Sequence, residues 1–241
     1  MNLCDINVIK PLLQKHGFRF SKSKGQNFLT QSWVPREIAE GAGIDESCGV
    51  LEVGPGIGPL TAELAQRAGK VVSVELDKTL LPVLAETMAP YPNVEIVPGD
   101  VMKLDLDALI AEKFQGLTPI VCANLPYNIT TPVLTRLIET PCLKTVTVLI
   151  QKEVAQRLAA PQGSADGGSF SLFLQYNMET EQLFDVPREN FHPAPKVPSA
   201  VLRGVRPWPT ACAPLCPPFP RNRFWMLCPA AACPPTSGAN G

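Results

Sequence analysis

Three glycines at alternate positions, Gly54, Gly56 and Gly58, follow directly on an apolar run at 50–53. A helical pattern comes next, with Leu60, Leu64 and Ala65 on one face and Gly69 closing it. This reads as strand, tight turn and helix. Glycine suits such a turn because no Cβ stands between a ligand and the backbone, and positive φ costs little. The first N–H groups of the following helix point at whatever occupies the turn. Three more points carry groups that could act with it. Glu75 ends the β-branched run 70–75, Asp100 follows the run 93–97, and Asn124-Leu125-Pro126-Tyr127 follows 119–123.

The spacing of the glycines narrows the ligand. A dinucleotide site uses G-x-G-x-x-G, and a phosphate-cradling loop ends in Gly-Lys-Ser/Thr. Neither is present: the pattern here is G-x-G-x-G preceded by Glu52, as in methyltransferases that use S-adenosylmethionine. A glycine-rich turn without a ligand is the plain alternative, and the acids weigh against it. Glu75 can accept hydrogen bonds from both hydroxyls of a ribose, and Asp100 from the amine of an adenine. The same spacing disfavours a nicotinamide oxidoreductase.

Asn124-Leu125-Pro126-Tyr127 suits chemistry on the exocyclic amine of a base. The lone pair of that nitrogen is delocalised into the ring, so it is a poor nucleophile. The Asn124 amide oxygen and the Leu125 carbonyl can accept its two N–H bonds and favour the positive charge that develops as nitrogen attacks a methyl group. Tyr127 can stack on the base, and Pro126 stiffens the loop. Phe191 is a candidate second stacking face and equally a candidate core aromatic. Such a transfer needs proximity and in-line placement, with no metal and no covalent enzyme intermediate. His16 and His192, the only histidines, have no partner at ligand spacing, so no metal site is assigned.

The elements that must position these groups alternate. Strands are expected at 49–53, 70–75, 93–97, 119–123 and 144–150, with helices at 58–68, 77–89, 105–114 and 130–139 between them. Five such alternations predict an α/β fold, a mostly parallel sheet with helices on both faces. Ligands in such sheets bind at the carboxyl ends of the strands, where Gly54, Glu75, Asp100 and Asn124 all fall. Before the core, a helix is expected over 8–16, kinked or started at Pro11. A second runs to about Ala42, with Ser32 as its cap. After it come a helix to about Ala159, segments at 169–176, 178–186 and 199–205 that add a helix and two closing strands, and a proline-held extended run at 190–197.

The 241 residues fit one α/β domain with an appendage, or two small domains, and the net charge of −1 gives no bulk signal for nucleic acid or membrane. The start of the chain differs: Lys10, Lys15, Arg19, Lys22, Lys24 and Arg36 face only Asp5, an excess that can meet phosphate. There is no secretory pattern and no apolar run long enough for a bilayer, so a cytoplasmic protein with reduced thiols is expected. Cys4, Cys48, Cys122 and Cys142 read as small core residues.

Six ordered motifs carry a family resemblance. Gly25-Gln26-Asn27-Phe28-Leu29, Glu52 to Gly58, Glu75-Leu76-Asp77, Gly99-Asp100, Asn124 to Tyr127 and Phe191-His192-Pro193-Ala194-Pro195-Lys196-Val197 resemble the rRNA adenine N6,N6-dimethyltransferases, and most nearly their bacterial small-subunit branch. The resemblance implies a Rossmann-like S-adenosylmethionine methyltransferase fold. It implies that Asn27 and Leu29 close over the methionine part of the cofactor, with Gly54 and Gly56 beneath. Glu75 would hold the ribose, Asp100 the cofactor adenine, and Leu76 would pack on that ring. Asn124 would face both cofactor and target amine, and Tyr127 and Phe191 would sandwich the target adenine. The implied substrate is two adjacent adenosines in a hairpin near the 3′ end of 16S rRNA in the small ribosomal subunit, each methylated twice by a monomeric enzyme. Lys22, Lys24 and Lys196 would meet RNA phosphate.

The expected organisation is a basic, cofactor-covering segment at 1–48, a methyltransferase domain at 49–203 and a tail at 204–241. The family continues into a small helical domain. Here the tail holds nine prolines and four cysteines with no Asp, Glu or Lys, so the usual helical domain is expected to be absent and the tail to lack a fixed fold. The loose spacing of Cys212, Cys216, Cys228 and Cys233 argues against zinc. Two other functions share these motifs: methylation of large-subunit rRNA adenine, as in macrolide resistance, and a ribosome-assembly RNA-binding factor with little activity.

Overall fold

The strand that leads into the glycine turn is β2 (Cys48–Val53), and all its residues are buried. Val50 faces one apolar layer, while Leu51 and Val53 face the other. That alternation is what a strand covered on both faces requires. The computed structural model describes residues 1–18, 27–161, 164 and 167–207.

β3 (Lys70–Glu75) and β5 (Thr118–Asn124) pair in parallel with β2 on its two sides. β4 (Val94–Pro98) and β6 (Thr145–Gln151) extend the parallel array outward. β9 (Ser199–Val205) then pairs antiparallel with β6, and β7 (Glu179–Val186) antiparallel with β9. The order is β4-β3-β2-β5-β6-β9-β7. The chain leaves β2 toward one edge and returns to the other side of β2 with β5. The topological switch therefore lies between β2 and β5, where a crevice opens at the carboxyl ends.

Helices cover both faces, as the alternation predicts. α2 (Trp33–Gly41) and α3 (Pro59–Ala65) place Val34, Ile38, Leu60 and Leu64 in one layer. α5 (Leu106–Lys113), α6 (Thr130–Ile138), α7 (Lys152–Ala159) and α8 (Ser169–Asn177) place Leu106, Val133, Leu137, Leu158 and Leu174 in the other. A third cluster seats α1 (Ile6–Lys15) beside α4 (Leu81–Thr87), with Ile9, Leu12 and Leu13 among Val83 and Leu84. Lys15 and His16 both reach Glu86 at 2.7 Å across that contact.

Three expectations are corrected. α1 neither starts nor is interrupted at Pro11: Asp5 caps it, accepting from the Asn7 N–H at 2.8 Å, and the helix runs through Pro11. The proline costs one backbone bond, and the buried Ile9, Leu12 and Leu13 hold the helix regardless. Ser32 makes no side-chain cap, because its own backbone is already helical (φ −67°, ψ −21°); the turn begins one residue earlier, with the Val34 N–H on Gln31 O at 3.2 Å. The run 190–197 is not uniformly extended: Asn190 ends a 3-10 turn, only Phe191 and His192 form strand, and bends follow at 193 and 196–197.

The boundary drawn after Arg203 falls inside a strand. Gly204 and Val205 pair with Val146 and Thr145 on β6 and with Thr180 and Glu179 on β7. Arg206 then donates from Nε to Leu143 O at 3.1 Å and from Nη2 to Ile138 O at 2.9 Å, tying the end of β9 to the α6–β6 connection. The expectations for Lys22 and Lys24, and for the cysteines and folding of 208–241, lie outside the described residues. Arg206→Ala removes the donors of two carbonyls in a half-buried corner and should destabilise the chain by about 1.5–3 kcal/mol, the range for hydrogen bonds from a charged group. An unchanged midpoint in urea unfolding would show that the corner holds without it.

Candidate active site

Gly54, Gly56 and Gly58 have φ of +68°, +63° and +94°, and the Gly54 N–H donates to Val74 O on β3 at 2.9 Å. All three φ values disfavour a side chain, and the outer two differ in what surrounds them. At Gly58 an added Cβ would also press on the end of the Met88 side chain, which would have to shift. A Cβ at Gly54 would meet nothing within 4 Å, so there the requirement is the positive φ and an open approach for a ligand. Gly56 is roofed by Phe28, whose ring would lie 3.3 Å from an added Cβ.

The acids at the strand ends are held in place by backbone. Glu75 is 6% exposed, and its Oε1 accepts from the Asp77 N–H at 2.7 Å. Burial pushes its carboxyl above the usual range, and the N–H groups of Asp77 and Gly56 work against that rise. Asp100 follows β4, and its Oδ1 accepts from the Met102 N–H at 3.0 Å. Glu52, on β2 itself, is 1% exposed, and its Oε2 accepts from Thr61 Oγ1 at 2.7 Å and Ser73 Oγ at 2.6 Å. Burial pushes this carboxyl up to about 7, and the neighbouring Glu75 pushes in the same direction.

The amide-bearing loop stands across the switch point. The Leu125 N–H donates to Leu149 O on β6 at 3.1 Å, which fixes the loop at the end of β5. Tyr127 opens a short 3-10 turn at Tyr127–Ile129, and its hydroxyl is 2.6 Å from Ser199 Oγ at the start of β9. Phe191 arrives from elsewhere. β1 (Phe28–Leu29) and β8 (Phe191–His192) form a two-stranded antiparallel pair in which Leu29 faces Phe191. The Thr30 N–H to Asn190 O bond, 2.8 Å, closes it. Phe191 is 4% exposed, belongs to a core cluster and also lines the cavity.

One cavity of about 590 Å³ is lined by Asn27, Leu29, Gly54, Gly56, Glu75, Leu76, Asp100, Asn124, Leu125, Tyr127 and Phe191. That volume suits a nucleoside-sized ligand. Lys196 is exposed on the loop after Phe191 and does not line it. Glu52 and Phe28 also form its walls without a role assigned from sequence. The signal for Glu52 was an acid inside an otherwise apolar strand; for Phe28, a two-residue strand offers no periodicity to read. Among the described residues no group of three or more His, Cys, Asp or Glu is placed to hold a metal, and no helix is long and apolar enough to cross a membrane.

An open parallel sheet with a glycine turn after its first core strand, acids after the next two and an amide loop after the fourth defines a Rossmann-like methyltransferase. The chain belongs to the ribosomal RNA adenine dimethylase family, which matches residues 17–207. It is 48% identical to the ribosomal RNA small subunit methyltransferase A of Alkaliphilus oremlandii over 195 residues, 80% of this chain and 68% of that one. It is also 48% identical to the protein of the same name from Geobacillus kaustophilus, over 82% of this chain and 68% of that one. Among solved structures, the 23S rRNA methyltransferase ErmE superposes with a TM-score of 0.65 at 32% identity, covering 75% of this chain and 70% of that one. A dimethyladenosine transferase from Plasmodium falciparum gives 0.64 at 27% identity, covering 74% and 62%. The chain is an S-adenosylmethionine-dependent rRNA adenine dimethyltransferase by family. The cavity has room for that cofactor: a Cβ at Gly54 would meet nothing within 4 Å, and two acids, Glu75 and Asp100, are in the lining.

The state of Glu52 gives a pH prediction. The carboxyl rises from its ordinary 4.5 to about 7 on folding, so the folded chain holds this proton more tightly than the unfolded one. Its contribution to stability is full below about pH 4.5 and is lost as pH rises through 7. A shift of that size corresponds to about 3 kcal/mol. Glu52→Gln keeps an acceptor for Thr61 and Ser73 and has no proton to lose. The stability of the wild type relative to Glu52→Gln should therefore fall between pH 4.5 and 7.5. Parallel stability–pH curves for the two proteins would mean that folding leaves the affinity of this carboxyl for its proton unchanged.

Proposed function

We propose that this chain methylates N6 of two adjacent adenosines, twice each, in a hairpin near the 3′ end of 16S rRNA in the small ribosomal subunit. The observation that carries this reading is the sharing of one cavity by Glu75 and Asp100 with Asn124, Leu125, Tyr127 and Phe191. Bound S-adenosylmethionine supplies a methyl group already activated on a sulfonium. Glu75 accepts from the ribose hydroxyls and Asp100 from the cofactor's adenine amine. Leu76, 65% exposed at the cavity, covers that ring. Asn27 and Leu29 cover the methionine part, with Gly54 and Gly56 below.

On the other side, the Asn124 amide oxygen and the Leu125 carbonyl accept the two N–H bonds of the target amine. They hold its nitrogen in line with the methyl carbon at about 3 Å. Methylation would put positive charge on that nitrogen, which would then give up one N–H proton to solvent, and the same acceptors would favour the charge as it builds. Tyr127 and Phe191 stack on the two faces of the adenine, which must leave its own stack to enter. Hairpin loops are where RNA bases are free to do so. Lys196, with Lys22 and Lys24, meets phosphate.

Residues 1–48 act as a cover for the cofactor, and the core from 49 carries the chemistry, in a monomer working in the cytoplasm. The 46–48% identity to relatives named for the small subunit supports that target over the large subunit, against 32% for ErmE. Methyl incorporation into unmethylated small subunits, mapped to nucleotides, tests the proposal. Incorporation only into large-subunit RNA would overturn the target, and RNA binding without incorporation would mark an assembly factor.

Two sets of variants test the roles. Glu75→Ala should weaken S-adenosylmethionine binding by about 1.5–3 kcal/mol, through loss of charge-assisted hydrogen bonds; equal affinity by calorimetry would remove Glu75 from the site. Asn124→Ala should abolish transfer while RNA binding persists, and Tyr127→Ala should cost about 1–3 kcal/mol of base stacking. Methyl groups found on cytosine or on ribose oxygens would refute the assignment.

A further inference from the structure

Ser199 stands at a junction that the proposed chemistry does not yet use. It is fully buried, the first residue of β9, and lies in register between Gln151 of β6 and Val186 of β7. The residue before it is fixed too, since Pro198 O accepts from the Lys152 N–H at 3.0 Å. Tyr127, by contrast, sits in a three-residue 3-10 turn and is only half-buried. A ring on such a turn swings about its side-chain torsions unless its far end is held. The Tyr127 hydroxyl is held by Ser199 Oγ at 2.6 Å, a short bond spanning 72 positions of sequence. Ser199 closes the segment that begins with Phe191, so the bond joins the two stacking faces of the cavity through a rigid strand end.

We propose that Ser199 is a positioning residue for methyl transfer. Through its hydroxyl it fixes the tilt of the Tyr127 ring and hence the slot between Tyr127 and Phe191 that receives the target adenine. The inference rests on the reading of Tyr127 as a stacking face. Burial pushes the Tyr127 phenol upward, so the ring enters that slot as a neutral phenol. An untethered ring still offers apolar surface, so the loss falls on alignment in the reacting complex more than on binding.

The test compares wild type, Ser199→Ala, Ser199→Thr, Tyr127→Phe, Tyr127→Ala and the Ser199→Ala/Tyr127→Phe double variant of the full chain on unmethylated small subunits. Ser199→Ala and Tyr127→Phe should each lower kcat by about five- to tenfold, the rate equivalent of one hydrogen bond. KM for S-adenosylmethionine should stay at the wild-type value, and the thermal midpoint should fall by no more than the few degrees that one hydrogen bond is worth. The double variant should be no slower than either single one, and Ser199→Thr should recover most of the rate. A second readout needs no turnover: an RNA hairpin with 2-aminopurine at the target position should be quenched by stacking in wild type and less so in Ser199→Ala. Multiplying penalties in the double variant, or wild-type kcat and quenching in Ser199→Ala, would overturn the tether. A fall in cofactor affinity and midpoint that matches the fall in kcat would make Ser199 merely structural. If Tyr127→Ala keeps full rate and quenching, the stacking reading itself fails; if Tyr127→Ala is impaired and Ser199→Ala is not, only the tether fails.

Discussion

The parallel ladder between β2 and β5 is the constraint on which the cavity depends. Parallel pairing aligns the carboxyl ends of neighbouring strands on one edge of the sheet, whatever follows them. Val50 and Leu51 of β2 lie opposite Ile120 and Val121 of β5, and that register puts the glycine turn and the amide loop side by side. β3 and β4 continue the same edge and bring Glu75 and Asp100 to it. The strands themselves are apolar on both faces, so slippage would cost little in burial per residue; the loops and helices that follow must pin the ends. Gly54 donating to Val74 O and Leu125 donating to Leu149 O are such pins, one on each side of the switch.

Two buried acids, Glu52 and Glu75, face a cost of desolvation, and hydrogen bonds to each offset it. Glu52 receives two hydroxyls and lies beneath the turn, while Glu75 receives backbone N–H groups at its rim. Both are pushed toward the protonated form by burial. A cationic ligand in the cavity relieves this, since a nearby positive charge favours the ionised carboxyl. The sulfonium of the family's cofactor has that charge.

Much of this was legible in sequence because it is written in short-range signals. The β-branched run ending in Glu75 and the apolar run ending in Gly54 each declare a strand and its carboxyl end within six residues, and the alternation of strands with helical patterns declares a parallel sheet. What escaped was set by distant partners. Ser32 looks like a cap until the turn at Gln31 is seen to start the helix. Gly204 and Val205 were readable as the end of a strand at 199–205, but not the β6 and β7 partners that tie them to the core rather than to the tail. The Tyr127–Ser199 bond joins residues with no shared periodicity, and the acid at 52 could be read as unusual but not as doubly hydrogen-bonded.

The pairing of β1 with β8 is the longest-range of these links and explains why the cavity has two kinds of wall. Two residues on each side make a marginal ribbon by themselves. It stands because Leu29 and Phe191 are both buried in the layer that also holds Val34 and Ile38, so the core beneath α2 supports it. Leu29 belongs to the segment proposed to cover the cofactor, and Phe191 to the wall proposed to meet the target base. Because they are register partners, neither can move without breaking the ribbon or carrying the other along. Phe28, whose ring roofs Gly56, is paired in turn with His192. On the proposed roles, the arrangement of the cofactor side and that of the base side are thus one structural variable, set by the register of Leu29 with Phe191.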